Sequence, residues 1–259
     1  MTAKQLRPGE DVKVVDGRVT VSGQTSVMAI NALIAKVMFD KNPDREFFIE
    51  ESFPLEWMYP YLSPYGIIMK INRQPLPELT EDMLKRDHEF WSKYSERAIG
   101  NWITYDTSIA DICKFVEKVY LRRDYKGFKG DPKFVRDSDG QKAFSKLRSS
   151  IAGVYSYRER QSATELQRAQ ASGNPAEQGR ASIAYQRMLK EAEFALKQSY
   201  AFCPYSPEAT FRYLELLLRT GRVNEAQLIA KTSLKFDPNN GTLKNAISDL
   251  DRYQAAQPK

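Results

Sequence analysis

Between Val12 and Met69 the apolar positions change their spacing several times, and each change marks an element. Val12 and Val14 precede an Asp16-Gly17 pair and Val19 and Val21 follow it, which is the alternation and turn of a β-hairpin. "QTSVMAINALIAKVMFDKNP" (24–43) then sets Val27, Ile30, Ile34, Val37 and Met38 on one helical stripe that stops at Asn42-Pro43. "REFFIEESF" (45–53) reads as a strand, "PLEWMYPYL" (54–62) as a short helix opened by Pro54, and "GIIMKIN" (66–72) as another strand. This order predicts a small α/β unit over residues 1–76, with a sheet backed by the 24–41 helix.

The proline-punctuated "NRQPLPEL" (72–79) marks a boundary. Beyond it, Thr80 caps a helix whose first turn carries Glu81 and Asp82, and Ser108 with Asp111 forms a capping box. Ile109, Ile112, Val116 and Val119 follow at helical spacing. Residues 77–137 are a helical connector, with a loop around 123–140.

The strongest internal signal lies in the last third. "EAEFALKQSYAFCPYS" (191–206) matches "EAQLIAKTSLKFDPNN" (225–240) at an offset of 34 residues, with Glu191/Glu225, Ala192/Ala226, Ser199/Ser233, Phe202/Phe236 and Pro204/Pro238 in register. That period is the tetratricopeptide repeat's, a helix pair that buries its face by stacking on neighbours. Residues 207–240 fit one repeat: Pro207 opens the first helix, Tyr213 and Leu214 face its core, and Gly221 makes the turn. Ala226 lies at the crossing, and Pro238 ends the second helix. "GTLKNAISDLDRYQ" (241–254) is a closing helix. Upstream, "FSKLRSSIAGVYSYRE" (144–159) and the turn "SGNP" (172–175) predict an over-long hairpin, 141–171 against 176–202. The fold class is therefore α+β: a small N-terminal α/β unit, the connector, and tetratricopeptide-like hairpins over 138–259.

Composition limits the chemistry. A hydrophobic fraction of 42% and a charged fraction of 28% describe an ordinary globular chain. The net charge of +6 comes from well-mixed signs. The basic run "LRRDYKGFKGDPK" (121–133) is broken by Asp124 and Asp131, so no nucleic-acid partner is expected. No stretch reaches the ~18–20 apolar residues of a membrane span, and the N-terminus lacks the apolar core of a signal peptide. Cys113 and Cys203 are too few for a four-ligand metal site and read as buried thiols, with pairing left open. Phosphate loops and metal spacings are absent, so no cofactor is expected.

Candidate sites are few. The only histidine, His88, lies on a predicted helix with no nucleophile beside it in sequence, so no catalytic residue is assigned. Glu50, Glu51 and Glu56 with Trp57, Tyr59 and Tyr61 could form a sugar-binding or glycoside-cleaving surface. Yet Glu50 and Glu51 would point to opposite faces of a strand, and Trp57, Met58, Tyr61 and Leu62 have the spacing of a packed helix face. The concave wall of the repeats would present Glu208, Phe211, Glu215 and Leu218, then Asn245, Asp249 and Arg252. That set lacks the cationic clamp for a peptide carboxylate, and a basic or mixed protein segment is the expected partner.

Residues 24–72, from "SVMAINALIAKVMF" through "DREFFIEESF" and the aromatic turn to "YGIIMKIN", resemble the segment after the last membrane helix in a large bacterial family of polytopic membrane proteins. That family is related to the eukaryotic transmembrane O-mannosyltransferase that ends in tetratricopeptide repeats. "FSKLRSSIAGVYSYR" is the closest match in the helical part, and the likeness runs over 24–259. It implies that the chain is the extramembrane C-terminal portion of a membrane glycosyltransferase using a lipid-linked donor, on the periplasmic or exoplasmic side. The family's catalytic acids lie in its membrane part, so this portion is expected to be non-catalytic, with that part and a protein or peptide as partners.

Overall fold

The computed structural model describes residues 11–50 and 55–255. The Asp16-Gly17 turn joins β1 (Asp11–Val15) to β2 (Arg18–Ser22) in register, Val14 opposite Val19. Asp16 and Gly17 both take the positive φ that such a two-residue turn requires. α1 (Gln24–Lys41) follows and ends at Asn42. β3 (Phe47–Ile49), β4 (Leu62–Tyr65) and β5 (Ile68–Ile71) form a second, antiparallel sheet in the order β3-β5-β4. A 3₁₀ segment, Glu56–Tyr61, leads into β4.

Two expectations for this region are corrected. The hairpin and the later strands are separate sheets rather than one. The three-stranded sheet is backed by the later helices Glu81–Ile99 and Ser138–Ser172, while α1 rests on β2 and the 3₁₀ segment. Leu62, Met69 and Ile71 of the sheet are buried, and α1 contributes chiefly Phe39 to the core. Phe39 meets Phe47, Trp57 and Tyr61 at centroid distances of 5.5–5.7 Å, and the Arg73 guanidinium covers it at 4.6 Å. The strand expected over 45–53 is short, ending at Ile49; Glu51 and Pro54 lie outside the described residues.

α2 (Glu81–Ile99) starts as its cap predicts, with Thr80 accepting from the Met83 amide, and stops where Gly100 turns left-handed. α3 (Ile109–Val116) is capped by Ser108 and runs on as a π turn through Leu121. The expected loop is coil with a 3₁₀ turn at Phe134–Arg136, and Asp137 caps the next helix. α4 (Ser138–Ser172) and α5 (Pro175–Phe202) form the over-long hairpin, joined at left-handed Gly173 with Asn174 as cap.

α6 (Pro207–Arg219), α7 (Val223–Phe236) and α8 (Gly241–Ala255) complete the stack. α5 and α7 end 34 residues apart, and so do the starts of α6 and α8, so the sequence period is a period of helix ends. α6 packs on α4 and α5, α7 on α6, and α8 on α7. The matched helices touch directly: the Tyr200 hydroxyl lies 3.0 Å from Ser233 Oγ. Ala226, Tyr213 and Leu214 are buried and Gly221 is left-handed. One hydrophobic cluster runs from Phe39 to Leu250, across the boundaries near 76 and 137.

α2, α4 and α5 meet around a polar knot. Fully buried Arg148 donates to Asp87 Oδ2 and Gln198 Oε1, both at 2.8 Å, and lies over the Trp91 ring. The Tyr155 hydroxyl donates to the same Asp87 oxygen at 2.7 Å. Burying charge this deeply is tolerable only with such pairing.

Candidate functional site

Where α6 crosses α4, the sequence places small residues against a long cation. Ala152, Gly153 and Ser156 form a low stretch of α4, and Arg212 reaches across to donate to the Ser149 carbonyl at 3.1 Å. The Arg212 guanidinium lies in the space that a Cβ at Gly153 would take, so a larger residue there would move the end of that side chain. The result is a groove of about 480 Å³ between the two helices.

Three arginines line it: Arg160 from α4, Arg212 and Arg219 from α6. Glu215 is the acid in the wall, 3.6 Å from Arg160, and Arg219 pairs with the buried Glu159 outside the lining. Burial draws the Arg212 pKa down, and Tyr59, Glu215 and Glu208 partly offset that. Tyr59 also lines the groove, its ring stacked on Tyr157 at 5.0 Å. Arg160 and Arg219 each have a carboxylate nearby within the protein, and the planar forks of the three guanidiniums are the groups that would bind a further carboxylate in pairs of hydrogen bonds.

The structure thus brings Tyr59 and Glu215, 156 residues apart in sequence, into one site. The other expected residues are dispersed. Glu208 is half-buried and accepts from Ser206 Oγ at 3.2 Å, Phe211 packs on the core, and Leu218 is exposed. Asn245, Asp249 and Arg252 are exposed on α8 and do not line the groove; Asp249 and Arg252 pair with each other at 3.3 Å. Glu50 and Glu56 are exposed. Trp57 and Tyr61 are packing residues: the Trp57 indole donates to the Ala32 carbonyl at 3.0 Å and both rings sit on Phe39. Arg160, Arg212 and Arg219 escaped the sequence reading, because their convergence depends on α4 lying across α6.

His88 has a structural setting. Its Nε2 is 2.7 Å from Glu191 Oε2, the Tyr105 hydroxyl donates to Glu191 Oε1 at 2.7 Å, and the imidazole stacks on Phe194. Burial tends to raise the Glu191 pKa, but the bonds from His88 and Tyr105 outweigh it and hold the carboxyl below its usual range. Cys113 and Cys203 are free and buried, and burial pushes both thiols up to about 11, well away from reactive thiolates. Among the described residues, no cluster of three metal-ligating side chains occurs and no helix is long and apolar enough to cross a membrane.

No family model, no curated protein and no solved structure matches the chain.

Proposed function

We propose that this chain is a non-catalytic protein-binding domain, and that the α4–α6 groove takes an extended acidic segment of a partner protein. The observation that supports it is the convergence of Arg160, Arg212 and Arg219 beside the Tyr59–Tyr157 stack. This reading departs from the basic or mixed segment expected from α6 and α8 alone, because α4 and not α8 supplies the second wall of the groove. Affinity of this kind is electrostatic at its rim and weakens with salt. Fluorescence anisotropy of a labelled Glu/Ser peptide tests it: binding that falls at least tenfold in Arg160→Glu, an exposed position, supports the reading. Equal affinity for a Lys/Ser peptide of the same length sinks it.

A second reading is favoured by a different observation: packing against the membrane-embedded part of a glycosyltransferase, on its exoplasmic side, as the resemblance implies. Val27, Leu33, Ile34, Val37 and Met38 of α1 are all exposed, more apolar surface on one helix than an isolated domain ordinarily leaves open. Association with membranes carrying that part, lost on Leu33→Asp with Val37→Asp, supports it; unchanged association of the double variant counts against it.

A further inference from the structure

Among the described residues, six charged side chains are buried: Asp87, Arg148, Arg158, Glu159, Glu191 and Lys197. Five have an ionic partner: Asp87 with Arg148, Glu159 with Arg219, Glu191 with His88, and Lys197 with Glu193 at 3.6 Å. Arg158 has none. Its guanidinium donates to the Leu76 carbonyl at 2.6 Å and the Pro60 carbonyl at 2.8 Å, and its buried Nε has no partner. Burial lowers its pKa, with Tyr157 acting the other way.

Arg158 also lines a cavity of about 340 Å³, on the side of α4 turned to α5 rather than to α6. Leu79, Ile183 and Met188 supply apolar walls, and Arg180 adds a cation with no partner among the described residues. Glu78 and Glu165 stand exposed in the lining, and Arg187 is held by Glu81. Cavities of this size, mostly apolar with a few convergent polar groups, are the ordinary form of a small-ligand site.

We infer that this cavity binds a carboxylate with a branched apolar body, the carboxylate meeting Arg158 and Arg180 and the body lying on Leu79, Ile183 and Met188. The chemistry is shared by a free short carboxylic acid and by the C-terminal residue of a peptide. The inference is independent of the α4–α6 groove, which lies on the other side of α4.

Calorimetric titration of the whole chain with N-acetyl-leucine, N-acetyl-leucine amide and a tetrapeptide ending in leucine tests it. Binding of N-acetyl-leucine, with the neutral amide at least tenfold weaker, is the expected result. A tetrapeptide tighter than N-acetyl-leucine identifies a peptide terminus as the ligand, and equal affinities identify the free acid; both support the site. Because Arg158 also ties the 60–76 segment to α4, its replacement threatens the fold. Ile183→Asp is therefore the variant of choice: Ile183 is 72% exposed, so the melting temperature should hold while the new charge at the wall weakens binding tenfold or more. No binding of either carboxylate, equal binding of the amide, or full binding by a folded Ile183→Asp protein overturns the inference.

Discussion

α1 and the last three turns of α5 make an instructive pair. Besides the stripe of Val27, Ile30, Ile34, Val37 and Met38, α1 carries Met28, Ala32, Leu33 and Phe39 on its other faces, and an all-round apolar helix normally belongs in a core. Of its large apolar side chains only Phe39 is buried, among the described residues; Leu33 and Met38 are more than half exposed. Residues 191–202 of α5 contain Glu191, Lys197, Gln198 and Ser199, yet every residue but Glu193 is buried. Hydropathy alone would rank these two stretches the other way round. What decides is the number of neighbouring elements and the chance for each polar group to find a partner. α5 is contacted by α2, α3, α4 and α6, and its polar groups are answered: Gln198 by Arg148, Ser199 by the Ser145 carbonyl at 2.7 Å, and Lys197 by the Tyr105 carbonyl at 2.7 Å. Such bonds add little net stability when made and cost much when broken, so they fix which arrangement forms.

The sharpest way to break the contrast is Arg148→Ala. It leaves Asp87 buried without its cation, and the expected loss is about 3–5 kcal/mol in urea unfolding. A loss below about 1 kcal/mol would mean that the polar knot does not organise the α2–α4–α5 joint. A smaller effect, with a pH signature, is expected from Glu191→Gln, at about 1.5–2 kcal/mol near neutrality for bonds to a charged acceptor. The folded pKa of Glu191 is lowered from 4.5, so its contribution is present above that value and is lost as pH falls through the folded pKa. Wild type and variant should therefore converge in stability below pH 4.5; a gap that widens in acid would contradict the assignment. The smallest effect is predicted for Leu33→Gln, at most about 0.5 kcal/mol, because 65% of that side chain is already in water. A loss of 2 kcal/mol there would show that α1 is covered in solution, and would erase the difference between the two helices.

The same contrast explains what the sequence revealed. Helix ends were readable because local residues set them: Thr80 and Ser108 are side-chain caps, the turn at 172–175 separates α4 from α5, Pro207 starts α6, and left-handed Gly221 stops it. Pairing across the chain was not readable. β4 went unrecognised because Pro64 argues against a strand, and the hairpin's separation from the second sheet depends on partners far away in sequence. Tyr59 was visible as one aromatic among many, but only the packing of α4 shows that it alone of the three candidate rings lines the groove. Arg158 and Arg212 gave no signal, since what distinguishes them is the absence of a carboxylate in one case and the presence of Gly153 opposite in the other.

Pro64 has one more consequence. β4 is an outer strand of only four residues, and proline removes one of its amides. The opposite border, β3, is three residues long. Neither margin offers a foreign polypeptide the row of donors that growth of a sheet demands, so fibril-like self-association through this three-stranded sheet is disfavoured from the outset.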